Sequence, residues 1–354
     1  MRSTVAILGA GAWGTTTAKL ISEKGHEVFI WCHENEVAEE INSQHTNERF
    51  LPGISLPMGI RAFNSVEETV SGREFLIIAV PSIYLLNIVR QLMQVPCIRE
   101  GKIAIAVITK GFFETEKGPA LIIDALEDYL PGFYRKSLVY IAGPSHAEEA
   151  ARGKITGLIS ASRSPKNAIR FRYLLKSSRL LVFASLDVRG VQVAAAAKNV
   201  IAIAFGIMDA LKTGGGEEGE MFGDNTESLL LAAGLNEIQM LGMAMGATHP
   251  ETFVSISGVG DLDVTCRSVY GRNRRFGREI IEKNILGSFK NIDDILVRIG
   301  EIGYLPEGIA AARAVQMLAE KFRLKMPLCT GLYRILNKEL KPLEFLRNFL
   351  KNME

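Results

Sequence analysis

The first turn of the chain narrows its choice of fold. Thr4–Gly9 is an apolar run that reads as a buried strand. It meets Gly9-Ala10-Gly11-Ala12-Trp13-Gly14 where a helical stretch, Ala12–Lys24, begins; Gly25 ends that stretch and Glu27–Trp31 reads as a second strand. In a β–α–β unit each glycine of this pattern has a task. Gly9 permits the tight turn, Gly11 lets backbone approach a pyrophosphate, and Gly14 lets helix and strand pack closely. The helix N-terminus supplies amide donors to phosphates. A Gly-rich turn of structural use only is the alternative, and the strand–turn–helix context favours a dinucleotide over it.

Further buried strands are expected at Phe75–Val80, Ile103–Val107, Val139–Ala142 and Thr156–Ala161, with helical pattern between them. Strands rich in Ile and Val without alternation fit a parallel sheet covered on both faces, and the rhythm argues a doubly wound α/β domain. Beyond about Val188 the strand signals fade. Helices are expected at 191–211, 226–246, 272–284, 291–302, 307–322 and 341–352, an all-α second domain. The expected division is therefore 1–187 and 188–354. Lys212–Gly223, KTGGGEEGEMFG, reads as a surface loop.

Composition removes several classes of function. With 41 basic and 39 acidic residues the net charge is +2, too small to imply nucleic acid or a membrane surface. Cys32, Cys97, Cys266 and Cys329 are scattered without a CxxC pair, and the five histidines lack ligand spacing, so no metal and no disulfide framework are expected. Met1-Arg2-Ser3-Thr4 runs directly into the first strand, so no signal peptide is expected and the location is expected to be cytoplasmic.

The most apolar stretch, Val191–Leu211, holds Lys198 and Asn199 side by side. With Asp209, these two argue against a membrane span and for a core helix. Burying an unpaired ammonium costs several kcal/mol, roughly, so such a lysine is kept when paired or functional. Burial also lowers a lysine's pKa, which suits proton transfer. A nucleotide loop together with a buried lysine suggests a dehydrogenase with a lysine acid/base.

Other candidates lie where strands end. The second strand runs into Trp31-Cys32-His33 with Glu34 displaced, so neither an acid nor an Arg clamp selects NAD over NADP. His33 reads either as a neighbour of the adenosine ribose or as a surface histidine. Val80-Pro81-Ser82 and Ile108-Thr109-Lys110-Gly111 end later strands, and Lys110 is placed to reach a phosphate or a reacting carbonyl. In Gly143-Pro144-Ser145-His146-Ala147, Ser145 is a helix cap or a ligand, and His146 a base or a packing residue. No GxSxG elbow supports a hydrolase. Finally, Gly258–Thr265 (GVGDLDVT) precedes Gly271-Arg272-Asn273-Arg274-Arg275-Phe276-Gly277. Arg272 and Asn273 at a helix start suit a phosphate; a solvated basic face explains Arg274 and Arg275.

GAGAWGT, the VPS and TKG strand ends, GPSHAEE, KNVIAIAFGIMD, GVGDLDVTC and GRNRRFG follow in order from residue 7 to about 330. Together they resemble the NAD(P)-dependent glycerol-3-phosphate dehydrogenases, the bacterial family in particular. The resemblance implies an N-terminal Rossmann domain and a helical substrate domain. It implies Lys198 as proton donor and acceptor at the C2 oxygen, Lys110 and Asn199 flanking the carbonyl, Asp261 holding Lys198, and Thr265 lining the site. Arg272 and Asn273 would bind the substrate phosphate, with Arg272 also near the cofactor. Gly143, Ser145 and Gly271 would contact substrate. Beside Gly9, Gly11, Gly14 and Lys110, the residues Ala12, Trp13, His33, Ala147, Leu305 and Glu307 would fall on NAD(P)H.

The implied reaction is reversible reduction of dihydroxyacetone phosphate to sn-glycerol 3-phosphate, serving glycerophospholipid synthesis, by a homodimer. Two departures stand out. Where the family carries TRGLxE, this chain has Ala232-Ala233-Gly234-Leu235-Asn236-Glu237, and Lys212–Met221 resembles an insertion. The rival readings are another dehydrogenase acting on a β-hydroxyacid, which does not require GRNRRFG, and a dinucleotide sensor, which has no need of Lys198 or Asp261.

Overall fold

The computed structural model describes residues 2–214 and 219–351. The chain forms two compact units, one of Met1–Glu114 with Ala120–Val188, the other of Thr115–Pro119 with Arg189–Glu354.

The first unit runs β1 (Thr4–Leu8), α1 (Ala12–Glu23), β2 (Glu27–Trp31), α2 (Asn35–Gln44), β3 (Ile60–Phe63), α3 (Val66–Val70), β4 (Phe75–Ile78), α4 (Leu85–Leu92), α5 (Pro96–Arg99) and β5 (Ala104–Val107). A hairpin of β6 (Phe112–Thr115) and β7 (Gly118–Leu121) follows, its Thr115–Pro119 turn counted with the second unit; then come α6 (Ile122–Tyr129), β8 (Val139–Ala142), α7 (Ala147–Ala151), β9 (Thr156–Ala161), α8 (Pro165–Leu175) and β10 (Leu180–Ser185). The main sheet has eight strands in the order β10-β9-β8-β5-β4-β1-β2-β3. Val5, Ile7, Val28, Ile30 and Ile77 are wholly buried in it, as a sheet covered on both faces requires. The strand order reverses between β1 and β4, and ligands of such sheets bind beyond the carboxyl ends at that point.

Six strands, from β8 to β3 in that order, run parallel, as expected of the Rossmann arrangement. The expectation of a wholly parallel sheet is corrected at one edge, because β9 is antiparallel to β8, pairing Tyr140 with Ala161 and Ala142 with Ile159. The connecting helix α7 has five residues, about 7.5 Å of rise, too little to carry the chain back to the start of the sheet. The eleven-residue α8 does carry it back, and β10 runs parallel to β9. β3, β10 and the hairpin were not expected from the sequence.

The second unit contains α9 (Val188–Thr213), α10 (Asp224–Ala244), α11 (Asp261–Arg267), α12 (Arg272–Glu282), α13 (Ile292–Val297), α14 (Gly308–Phe322), α15 (Pro327–Leu336) and α16 (Pro342–Lys351). α9 is mostly apolar and buried without a break from Gly190 to Met208, the pattern of a central core helix. It is long and apolar enough to cross a membrane, yet that stretch is entirely buried. Helix α12 crosses it at two glycines. A Cβ on Gly206 would strike the Arg274 carbonyl, and one on Gly277 would strike that of Ile203. With no Cβ at either glycine, the two backbones approach closely.

Several boundaries differ from expectation. The expected loop at Lys212 begins later, because Lys212 and Thr213 complete α9; Gly215-Gly216-Glu217-Glu218 lie outside the described residues. The helix expected at 291–302 is α13 followed by a 3-10 turn at Ile299–Ile302. Residue 352 of the expected final helix is also outside the described residues. Neither α11 nor α15 was expected.

Candidate active site

The glycine loop leaves β1 with Gly9 at φ +115, a conformation that L side chains rarely adopt. A Cβ there would lie 3.0 Å from the Ala79 carbonyl carbon and oxygen, and one on Gly14 would strike the Gly9 carbonyl. Gly11 differs. It caps α1 in extended conformation, and a Cβ on it would meet nothing within 4 Å. Its amide has no acceptor among the described residues. Two glycines are thus consumed by packing and the third faces open space, which fits a backbone-cradled pyrophosphate. Ala12 and Trp13 are half-buried. Thr16 donates to the Ala147 carbonyl at 3.2 Å, joining α1 to α7. His33 is exposed, its ring centroid 6.0 Å from that of Trp31, and Glu34 pairs with Arg49 at 3.4 Å.

The ends of β4 and β5 are joined by Thr109, whose hydroxyl donates to the Val80 carbonyl at 2.6 Å. Lys110 follows and donates to the Gly143 carbonyl at 3.3 Å; the Ser145 hydroxyl donates to the same oxygen at 2.9 Å. Lys110, Gly143 and Ser145 are therefore brought together. Of the two roles considered for Ser145, capping is corrected: His146 is the N-cap of α7, without a side-chain bond to it.

Lys198 is buried in α9 and donates to a carboxylate oxygen of Asp261 and, at 2.8 Å, to the Thr265 hydroxyl. Thr265 donates in turn to the Asp261 carbonyl at 2.6 Å. Asp261 and Thr265 share one face of α11 because they are four residues apart. A buried ion pair offsets its desolvation only with such added hydrogen bonds. Burial pushes the neighbouring Cys266 thiol up, so it stays neutral and does not compete with Asp261 for the ammonium. Asn199 is also buried, and its Nδ2 has no hydrogen-bond partner among the described residues. Buried donors are nearly always paired, so this one calls for an acceptor beyond the described residues, such as a substrate oxygen or a water.

The four arginines after Gly271 separate cleanly. Arg274 and Arg278 both bind Asp209, at 2.6 and 2.9 Å, and Arg275 pairs with Glu279 at 3.1 Å. Arg272, in the first turn of α12, is exposed and pairs with no carboxylate among the described residues. Asn273 is buried and accepts from the Gly308 amide at 2.8 Å. A Cβ on Gly308 would lie 2.5 Å from the Asn199 carbonyl and 3.0 Å from Asn273 Oδ1. Gly308 thus draws the Lys198–Asn199 helix and the Arg272–Asn273 helix to one point. Glu307, half-buried, is the N-cap of α14, and Leu305 before it is also half-buried.

Family comparison agrees with this geometry. The model for the NAD-dependent glycerol-3-phosphate dehydrogenase N-terminus matches residues 4–168, and the model for the C-terminus of the same enzymes matches 187–347. The chain belongs to this family. It is 55% identical to the glycerol-3-phosphate dehydrogenase (NAD(P)+) of Treponema denticola over 99% of both chains. To that of Treponema pallidum it is 50% identical, over 98% of this chain and 99% of the relative. Among solved structures, the glycerol-3-phosphate dehydrogenase of Coxiella burnetii superposes with a TM-score of 0.84 at 29% identity, over 99% of both chains. The resemblance carried by GAGAWGT through GRNRRFG named the same family.

Of the two departures, Ala232-Ala233 falls away from Lys198's hydrogen bonds, while part of Lys212–Met221 lies outside the described residues. Ala232 is exposed on α10, and Ala233 lines a cleft of about 650 Å³ with residues of α15 and α16 such as Arg334 and Phe345. Two groups escaped the sequence reading. Glu227 bridges Lys212 of α9 at 3.2 Å and Arg267 of α11 at 3.1 Å, so it fastens the two helices that carry Lys198 and Asp261. Asn47 is the other, a polar residue in NSQHTNERF with no local signal of its task.

Proposed function

We propose that the chain reversibly reduces dihydroxyacetone phosphate to sn-glycerol 3-phosphate with NADH or NADPH. The observation that carries this reading is the buried Lys198, bonded to Asp261 and Thr265, beside the unpartnered amide of Asn199. The first unit holds the dinucleotide at Gly9, Gly11 and Gly14; the second carries the proton-transfer lysine and the phosphate-binding residues. When bound, the reduced nicotinamide supplies the reducing equivalent for C2.

Lys198 gives its proton to the developing C2 alkoxide and takes it back in the reverse direction. Asp261 and Thr265 hold the ammonium in one orientation, so little reorganisation accompanies the transfer. Asn199 Nδ2 donates to the same oxygen or to a neighbouring substrate group. Lys110, with Gly143 and Ser145, contacts substrate. Arg272 and Asn273 grip the phosphate. That grip is remote from C2, and its binding energy orients the carbonyl. Gly271 caps the phosphate-binding helix. Ala12, Trp13, His33, Ala147, Leu305 and Glu307 lie along the cofactor. The enzyme acts as a cytoplasmic homodimer, a reading supported by family resemblance and the prevalence of two-fold oligomers.

The deciding experiment is oxidation of NADH and of NADPH, each with and without dihydroxyacetone phosphate. Substrate-dependent oxidation is expected, and the ratio of the two rates assigns the cofactor. Tight dinucleotide binding without any substrate-dependent oxidation would overturn the reading.

A further inference from the structure

Asn47 is wholly buried, and its amide reaches back 37 residues to the glycine loop. Nδ2 donates to the Ala10 carbonyl at 2.8 Å and to the Thr15 hydroxyl at 2.8 Å. Thr15 donates to the same Ala10 carbonyl at 3.0 Å. Three groups therefore close a ring in which one loop carbonyl receives two side-chain donors. Asn47 is itself held by its own turn, its carbonyl accepting from Leu51 at 2.8 Å.

The peptide between Ala10 and Gly11 is trans. In a trans peptide the C=O and N–H point in opposite directions. With the Ala10 carbonyl fastened inward, the Gly11 N–H is turned outward. That is the amide with no acceptor among the described residues, at the glycine whose Cβ position is open. We propose that Asn47 is a positioning residue for the dinucleotide: by fastening the Ala10 carbonyl it aims the Gly11 amide at the pyrophosphate before binding. The proposal rests on the glycine loop being the dinucleotide site. It concerns a residue that touches no cofactor and acts through the peptide plane.

The test measures binding. NADH affinity is read by quenching of protein fluorescence, and ADP-ribose and adenosine are then used as competitors. ADP-ribose keeps the pyrophosphate; adenosine keeps base and ribose but has no phosphate. Asn47→Leu removes the donor at similar volume. It is expected to weaken NADH and ADP-ribose by about tenfold, the order of one lost hydrogen bond, and to leave adenosine unchanged. Thr15→Val removes the second donor to the same carbonyl and is expected to act in the same direction, which keeps the test open if Asn47→Leu does not fold. Thr15→Ser, which keeps the hydroxyl, should restore ADP-ribose affinity. Equal losses for ADP-ribose and adenosine, or no loss for either, would overturn the proposal while leaving the loop's assignment intact. Failure of the unaltered protein to bind ADP-ribose would overturn both.

Discussion

The Thr265 hydroxyl lies 2.8 Å from Lys198 Nζ and donates its own proton to the Asp261 carbonyl at 2.6 Å. The ammonium is thus fixed by two side chains of one helix, and its charge is balanced by Asp261 alone among these contacts. Removing the lysine has two separable effects. Lys198→Ala should lower kcat by roughly 10²–10⁴-fold, the range for a lost general acid. It also removes the ammonium that balances the buried Asp261 carboxylate, and breaking a buried pair from one side costs about 3–5 kcal/mol. Lys198→Met combined with Asp261→Asn should recover much of that stability and none of the turnover. Chemical denaturation and steady-state rates measured on both proteins separate the effects. Near-normal turnover in either one would rule out Lys198 as the proton carrier.

Arg272 is exposed and pairs with no carboxylate among the described residues, where its neighbours are engaged by Asp209 and Glu279. Arg272→Ala should impair use of dihydroxyacetone phosphate far more than use of dihydroxyacetone. A lost charge-assisted contact to phosphate corresponds to about 1.5–3 kcal/mol, so kcat/KM for the phosphorylated substrate should fall by at least about tenfold. Arg274→Ala serves as the contrast, because its guanidinium is already bound within the fold. Equal losses on both substrates for Arg272→Ala would sink the phosphate assignment.

The Gly206–Gly277 crossing sets where α12 begins relative to Lys198. Gly277→Ala drives a methyl group into the Ile203 carbonyl. Overpacking of this kind costs about 1–3 kcal/mol. Displacement of α12 should also raise KM for dihydroxyacetone phosphate more than it raises KM for the nucleotide. Urea denaturation and paired KM measurements check this; an Ala variant of unchanged stability would show that the helices slide apart freely.

Glu237 accepts from the amides of Leu328 and Cys329 at 2.7 and 2.9 Å, at the start of α15. Burial pushes its carboxyl above the ordinary value of 4.5, against the downward pull of those amides. A raised folded pKa means that the native state holds the proton more tightly than the unfolded chain does. Its favourable contribution is therefore complete below the unfolded value and declines as pH rises through the folded one. Relative to Glu237→Gln, the unaltered protein should lose thermal stability as pH rises above the ordinary carboxyl value of 4.5. A melting-temperature difference that does not change with pH would contradict the raised carboxyl.

The parts of the fold legible in the sequence are those with a local signature. β1, α1 and β2 follow from unbroken apolar runs and Gly25, and α9 from its continuous Ala, Val and Ile. β10 was hidden because Leu181 and Phe183 are exposed, so its apolar residues mark no single buried face. The reversal of β9 depends on the length of α7, which periodicity does not report. In the candidate site, Lys198 was visible as a charge in an apolar helix, whereas its partner Asp261 is 63 residues away and was reached only through family resemblance. Asn47 gave no sign at all: its chemistry is ordinary for a loop, and its significance comes from the Ala10 carbonyl 37 residues earlier.

Because α9 is buried on every side, its amides have no surface turn through which to fray independently between Gly190 and Met208. Opening it requires opening the helices around it, so its protons should exchange with solvent only at the rate set by unfolding of the unit as a whole. Loops can be tuned by small local motions; Lys198 is carried instead on a helix whose amides should be among the slowest to exchange in its unit. The reacting group then has the full cooperative stability of its unit behind it, and mutations that loosen the periphery should spare its geometry until the unit melts.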